Sequence, residues 1–244
     1  MKNILNTLIL FLAVNTGFSQ KEYDDLRILY ADGNYEKLAK VADKYANSDD
    51  TKKDAWPYLW LSKGLYKIHV GGSTDPVFKN AYKESINAMN KCIKFDKTGT
   101  VIADPDNKEF LDLLQSSLVE QIDNEIAGGN FRKAYSWVTT YKKISPNLIG
   151  QVLLEGACKF RTDDKTTGFT LWKTADDQLK SLDDASIKTW SESDKEMLKM
   201  GVIQTSECYV SIKKIENARV LLNKVAQWFE NDEEFKEVYN KVVN

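Results

Sequence analysis

Histidine and cysteine are the residues of this chain best suited to metal binding or nucleophilic catalysis, and both are sparse. The 244-residue sequence holds one histidine, His69, and three cysteines, Cys92, Cys158 and Cys208. They are spread too widely for a zinc site, and no Cys-x-x-Cys pair occurs. The sequence also has no nucleophile elbow, P-loop or dinucleotide-binding glycine motif. We therefore expect a protein that is not an enzyme and that uses no metal or cofactor.

The positions of these side chains favour structural roles. Each cysteine falls on or beside the apolar face of a predicted helix, which is typical of a small buried residue. A Cys158–Cys208 disulfide is the alternative, and the sequence does not supply the geometry that such a bond needs. His69 lies at the end of a predicted helix beside a glycine-rich loop, where we expect a surface side chain.

Acidic residues also occur in patterns that could indicate calcium binding or acid–base catalysis. Asp104-Pro105-Asp106-Asn107 begins like a calcium-binding loop, but Lys108 and Glu109 occupy the next positions. We expect instead a turn and a helix N-cap before a helix at Glu109. Acid pairs elsewhere fall near predicted helix ends or outer faces, where solvation and helix-terminus electrostatics account for them.

The elements that carry these residues are amphipathic helices in a repeating pattern. An aromatic or large apolar residue is followed by further inward positions three, seven and ten residues later, which is one face of an α-helix. The pattern occurs five times, and the second positions lie 47, 49, 41 and 43 residues apart. These second positions are Leu38, Ser85, Ala134, Ala175 and Ala218.

Another apolar helix precedes each copy of the pattern and is the first helix of each pair. Its five occurrences are predicted at 22–30, 56–70, 109–127, 148–160 and 194–212, the last opened by a capping box of Ser193 and Glu196. A final amphipathic helix at 232–243 is expected to shield the last helix pair from water.

Residues 1–19 form a predicted signal peptide. Lys2 supplies a positive charge, an apolar run extends from Ile4 to Val14, and Gly17 and Ser19 are small residues at the cleavage site. About eleven apolar residues are too few to cross a bilayer, which needs about twenty. We expect cleavage after Ser19, with Gln20 or a retained anchor as alternatives, and export of 20–244 to the periplasm or the medium without a membrane span.

The charges do not favour nucleic acid or a membrane surface as a partner. Charged residues make up 29% of the chain, and its net charge is −2. Lysines and acids are interleaved along the predicted helices, which is typical of solvated helix faces.

The turns and helices resemble the tetratricopeptide repeat (TPR). Gly33-Asn34-Tyr35 and Gly129-Asn130-Phe131 are similar to the turn of that family, and Ala134 and Ala218 to its second-helix alanine. First-helix and closing positions are matched by Trp60, Gly64, Gly156, Ser206, Tyr209 and Pro146.

Two departures make the chain TPR-like and not a regular array. Every interval exceeds the family period of about 34 residues, and Lys213 stands where a turn glycine belongs. The resemblance implies an all-α, TPR-like solenoid of about five antiparallel helix pairs plus a C-terminal capping helix. A non-repeating all-α domain is the alternative.

The same resemblance implies a non-enzymatic scaffold or adaptor that binds a protein or peptide on the concave face formed by the first helices. Alternatives are an accessory subunit of a cell-envelope complex, or a small-molecule or glycan-binding module that uses Trp56, Trp60 and Tyr66. The residues expected to line the concave groove are Tyr58, Leu61, Leu65, Leu153, Phe160, Arg161, Ile203 and Val210.

Overall fold

The computed structural model describes residues 23–244, and the predicted signal peptide at 1–19 lies outside this range. Within these residues the fold is all-α, without a strand. No helix of the described part is long and apolar enough to cross a bilayer. The α-helices are α1 Asp24–Ala31, α2 Tyr35–Asn47, α3 Ala55–Gly71, α4 Ala81–Phe95, α5 Thr100–Ala103, α6 Pro105–Ala127, α7 Phe131–Tyr141, α8 Ile149–Arg161, α9 Lys165–Leu179, α10 Asp184–Lys188, α11 Glu192–Ser211, α12 Ile215–Val225 and α13 Glu233–Val243, with 3-10 helices at Pro76–Phe78 and Ala226–Trp228.

The helices pack in neighbouring pairs, an arrangement compatible with a helical repeat. We call α1, α3, α6, α8 and α11 the first helices; each packs against the helix of the repeating pattern that follows it, α2, α4, α7, α9 and α12. The predicted second positions of the pattern are all buried at 0% exposure, which confirms the inward face of these helices: Leu38, Ser85, Ala134, Ala175 and Ala218.

All five first helices end in the same turn. One residue adopts a left-handed φ between +63° and +71°, and the next backbone N–H donates to the carbonyl five residues back at 2.7–3.3 Å. This is a Schellman motif, which satisfies carbonyl groups at the helix end. The left-handed residues are Gly33, Gly72, Gly129, Asp163 and Lys213.

Glycines let α8 and α11 pack with their backbones in contact. A Cβ atom added to Gly150 would lie 2.4 Å from the backbone nitrogen of Leu198, and one added to Gly201 would lie 2.5 Å from the carbonyl oxygen of Gly150. Neither distance is possible for a real side chain, so both positions require glycine. The first helices α3, α8 and α11 are enclosed along most of their length, α3 by α2 and α4 and the other two partly by each other.

Helix α11 also contacts helices that are not its neighbours in the chain. It packs against α6, and Ser191, its N-cap, donates from Oγ to Oε1 of Gln115 on α6 at 3.1 Å. The fold is therefore more closed than a simple row of pairs, because α11 contacts α6 across the intervening α8–α9 pair.

Two helix starts differ from the sequence prediction. Helix α6 begins at Pro105 instead of 109, because Asp104 caps the backbone N–H groups of Asp106 and Asn107 and proline is well suited to a first helical position. Helix α11 begins at Glu192, where Ser191 accepts from the backbone N–H of Asp194. The predicted cap at Ser193 was wrong by two residues.

Candidate functional site

Three of the predicted groove residues share one surface depression. Tyr58, Leu61 and Leu65 lie at successive turns of α3 and line a groove between α2 and α4, here called the α2–α4 groove. Its volume is about 340 Å³. The other lining residues are Ala39, Lys40, Asp43, Ala46, Asn47, Val77, Phe78, Glu84, Asn87, Ala88 and Lys91.

The floor of this groove is apolar and fixed in place. The hydroxyl group of Tyr58 donates to the carbonyl oxygens of Ala46 and Lys52, each at 2.9 Å, and holds the ring against the end of α2. Leu65 packs with Phe78, while Val77, beside it in the 3-10 helix, is 67% exposed. The groove therefore has a preformed apolar surface with one valine left in solvent.

Four exposed charged side chains form the rim. Lys40 and Asp43 project from α2, and Glu84 and Lys91 project from α4. None of the four makes an ion pair within residues 23–244. The two ammonium groups lie over aromatic rings instead, Lys40 over Phe78 at 5.6 Å and Lys91 over Tyr58 at 5.2 Å. Both signs of charge are thus free on this rim.

The remaining predicted residues lie elsewhere. Leu153, on α8, is on the floor of a second depression described below, and Ile203 is buried in the C-terminal core. Phe160 is also core, packed 5.4 Å from the ring of Trp172. Arg161 lies over the ring of Phe131 at 4.8 Å and pairs with Glu207, and Val210 is an isolated 38% exposed side chain.

A second depression also lies between two helices of the repeating pattern. It lies between α9 and α12, over α8 and α11, and has a volume of about 400 Å³. We call it the α9–α12 cleft. Its lining residues are Leu153, Phe169, Trp172, Lys173, Asp176, Thr205, Tyr209, Glu216, Asn217, Val220, Leu221 and Lys224.

The aromatic residues of α3 that suggested a ligand pocket serve in packing. Tyr66 is buried against Phe110, with 5.8 Å between ring centres, and Trp60 contacts Tyr30 at 5.5 Å. Trp56 is partly buried and joins two apolar clusters. These contacts account for the spacing of the three aromatic residues along α3.

The side chains that could bind a metal or act as nucleophiles lie apart from one another, and most of them are buried. The three cysteines are buried free thiols, and burial raises the pKa of Cys92 and Cys158 to about 12 and that of Cys208 to about 11. His69 is exposed, as expected, and its ring stacks on Tyr82 with 4.6 Å between centres. Within 23–244 no three or more His, Cys, Asp or Glu side chains cluster as metal ligands.

One buried lysine joins the helices of the N-terminal half. Lys63 on α3 is 7% exposed, and its ammonium group donates to Oδ1 of Asn107 on α6 at 2.7 Å. Burial lowers the pKa of Lys63, partly offset by the charges of Asp106 and Asp104. Its contacts to Asn107, Trp60 and Phe110 make it a link between α3 and α6.

Sequence reasoning missed the rim residues of both depressions, because charges on a solvated helix face look the same whether or not a groove lies beside them. One signal was present for the first groove. The long turn after α3 carries Val77 and Phe78, two apolar residues outside any predicted helix. Comparisons of this chain with protein-family models, with curated proteins and with solved structures find no match.

Proposed function

We propose that this protein is an exported, non-enzymatic scaffold that binds an amphipathic helix of a partner protein in the α2–α4 groove. The observation that carries this proposal is the preformed apolar floor of Tyr58, Leu61 and Leu65 beneath a rim whose four charges have no ion-pair partner within 23–244. We place the site between α2 and α4, where part of α3 forms the floor, because α3, α8 and α11 are elsewhere enclosed by their neighbours.

A helix suits this groove better than an extended peptide. The walls and floor are α-helices, whose backbone groups already bond within each helix, so an added strand finds no backbone partner. A helix satisfies its own backbone and needs only side-chain contacts. The lining positions on α3, Tyr58 to Leu65, span seven residues, or about 10 Å, which matches about two turns of a bound helix.

The rim also constrains the partner. With Lys40 and Asp43 on one wall and Glu84 and Lys91 on the other, the rim carries two charges of each sign. A complementary helix has apolar residues at positions i, i+3 or i+4 and i+7, flanked by both acidic and basic side chains. A strongly acidic or strongly basic segment is disfavoured, because half of the rim repels it.

Three further parts of the proposal rest on the sequence and the fold together. The predicted signal peptide supports export to the periplasm or the medium. The five identical turns support a TPR-like solenoid of about five helix pairs closed by α13. The non-enzymatic role is supported by the burial of the thiols and by the stacking of the His69 ring on Tyr82.

Selection from a displayed library of amphipathic helices tests the proposal. We expect the enriched peptides to share the i, i+3/i+4, i+7 apolar pattern and to bind the full chain saturably. Val77→Glu puts a charge at the mouth of the groove and is expected to weaken binding at least about tenfold. The matched control Val220→Glu alters an exposed valine of the other cleft and leaves binding unchanged.

Two results contradict the proposal. One is a selection that enriches no helical sequence. The other is equal affinity of the enriched peptide for the wild type and for Val77→Glu.

A further inference from the structure

We infer that the α9–α12 cleft binds a small organic anion, a carboxylate attached to an aromatic or branched apolar body. This site is separate from the α2–α4 groove and shares no lining residue with it. The inference does not depend on the proposed partner, so either can fail without the other.

The deep part of the cleft is apolar, and its polar atoms are already hydrogen-bonded within the protein. Trp172 donates from Nε1 to the carbonyl oxygen of Leu153 at 3.1 Å, and Thr205 donates from Oγ1 to the same oxygen at 3.2 Å. The polar atoms of the floor therefore have partners within the protein and do not need a ligand. What the floor offers a ligand is apolar contact.

Apolar side chains on both walls leave room for a ring or a branched chain. Phe169 and Tyr209 are partly buried, Leu221 is buried, and Val220 is 54% exposed beside them. The volume of about 400 Å³ falls in the range of small-molecule sites, roughly 300–1,000 Å³.

The mouth of the cleft carries donors that the protein does not use. Lys173, Asn217 and Tyr209 are lining residues of the cleft, and each side chain ends in a hydrogen-bond donor. None of these side chains makes a hydrogen bond within 23–244. The hydroxyl group of a tyrosine is protonated at neutral pH and can donate, and burial, followed by the charge of Asp176, raises the pKa of Tyr209 further.

The charges at the cleft favour an anion. Both acids of the lining are already paired, Asp176 with Lys224 and Lys180, and Glu216 with Arg219 at 2.8 Å. Two cations have no acidic partner within the described chain: Lys173, and Lys214, whose ammonium group lies 4.7 Å from the ring centre of Phe169. A carboxylate placed near Phe169 therefore meets unpaired positive charge and free donors, whereas the acids of the cleft are already held in ion pairs.

Three ligands that share an indole ring and differ in the group that ends a two-carbon side chain test the inference. Indole-3-acetate, indole-3-ethanol and tryptamine are titrated into the full chain by calorimetry. We expect saturable binding of indole-3-acetate and affinity at least about tenfold lower for tryptamine. Lys173→Gln is expected to weaken indole-3-acetate about tenfold and to leave indole-3-ethanol unchanged.

The matched control removes the same charge elsewhere. Lys37→Gln alters an exposed lysine of α2, far along the chain from the cleft, and is expected to change nothing. Val220→Glu adds an acid at the mouth and abolishes binding of the anion. Equal affinity for the three ligands, no binding of any, or an equal effect of Lys173→Gln and Lys37→Gln overturns the inference.

Discussion

The hydroxyl group of Tyr141 donates a 2.8 Å hydrogen bond to Oδ1 of Asp194 and so joins the end of α7 to the first turn of α11. Both residues are buried, at 0% and 2% exposure. Ser145 and Asn147 donate to the same carboxylate at 2.5 and 2.7 Å, and no ion-pair partner of Asp194 lies in the described residues. Its position near the N-terminus of α11 favours a negative charge. This carboxylate thus ties together parts of the chain that are distant in sequence.

Replacing this carboxylate is expected to destabilise the whole fold. In Asp194→Asn an NH₂ group takes the place of one carboxylate oxygen and faces a donor, either Asn147 or the hydroxyl pair of Tyr141 and Ser145. We expect the free energy of unfolding, measured by urea denaturation, to fall by about 2–3 kcal/mol. The control Asp123→Asn changes an exposed acid of α6 and should stay within about 0.5 kcal/mol of the wild type. Equal stability of the two variants would show that the network contributes nothing.

The left-handed turn at Lys213 predicts a stabilising substitution. A side chain at φ +63° is strained, by roughly 1–2 kcal/mol for an ordinary residue. Lys213→Gly removes this strain at some entropic cost, and the free energy of unfolding should rise by about 0.5–1 kcal/mol. Lys213→Ala removes the charge but keeps Cβ, so no gain is expected from it. If the alanine variant gains as much as the glycine variant, backbone strain is not the cause.

The contact of α8 with α11 predicts a severe effect from a single methyl group. Gly150→Ala places Cβ against the backbone of Leu198, so the helices must separate. We expect a loss of about 3 kcal/mol in the free energy of unfolding. Gly71→Ala is the control, because a Cβ there meets nothing within 4 Å and alanine favours the last turn of α3. A Gly150→Ala variant as stable as the wild type would mean that the two helices are farther apart than described.

Local periodicity was enough to predict the paired helices. The inward positions Leu38, Ala134 and Ala218 all have 0% exposure, because the packing face of a helix repeats within one or two turns of the chain. The turn type was also readable at Gly33 and Gly129, where glycine marks a left-handed residue. At Asp163 and Lys213 the same conformation is present without glycine, so only its position after the first helix indicates it.

Features that depend on distant contacts could not be read in this way. In the sequence, Ser191 and Ser193 are equally good candidates for the cap of α11. In the structure Ser191 is the cap and accepts from the backbone N–H of Asp194, whose carboxylate bonds to Tyr141, Ser145 and Asn147. The packing of α11 on α6 could not be predicted either, because the sequence of neither helix identifies the helix that it packs against. The candidate groove was predicted only in its floor, since the rim charges resemble any solvated helix face.

Besides the apolar packing of Phe235 and Val242, an ionic cluster holds the start of the C-terminal helix, and its contribution should depend on pH. Lys199 is 8% exposed in its side chain and contacts Glu196, Asp232 and Glu234 at 2.9–3.0 Å. Burial alone lowers the pKa of Lys199, but hydrogen bonds to these three acids outweigh it and raise the pKa above its usual value. Burial raises the pKa of Asp232, yet the backbone N–H of Phe235 and the ammonium group of Lys199 lower it overall.

The directions of the pKa shifts of Asp232 and Lys199 define the pH range in which these residues stabilise the fold. The contribution of Asp232 is present above its unfolded pKa of about 3.9 and is lost as the pH falls through the lower folded value. The contribution of Lys199 is present below about 10.4 and is lost as the pH rises through the higher folded value. We expect Lys199→Met to cost about 1–2 kcal/mol at pH 7, measured by urea denaturation. The difference in the free energy of unfolding between Lys199→Met and the wild type should shrink below about pH 4. A constant difference from pH 7 to pH 3 would show that the ion pairs of Lys199 do not hold the helix.

The three thiols should be unreactive in the native protein. Their pKa values are raised by burial, so the thiolate is scarce at neutral pH and the sulfur atoms are shielded from reagents. We expect Ellman's reagent to label none of them at pH 8 within minutes, and all three after unfolding in guanidinium. Rapid labelling of one thiol in the native state would show that its helix opens readily.

Photo-crosslinking from the mouth of the α2–α4 groove tests directly whether a partner binds there. A benzophenone amino acid is placed at position 77 or, for comparison, at position 220, two exposed valines in different depressions. The full chain is irradiated in the cells that produce it. We expect a single crosslinked partner from position 77 and none from position 220. The product should be lost when Leu61→Glu, checked for folding by circular dichroism, is added. No product from position 77, or the same product from both positions, would contradict the proposal.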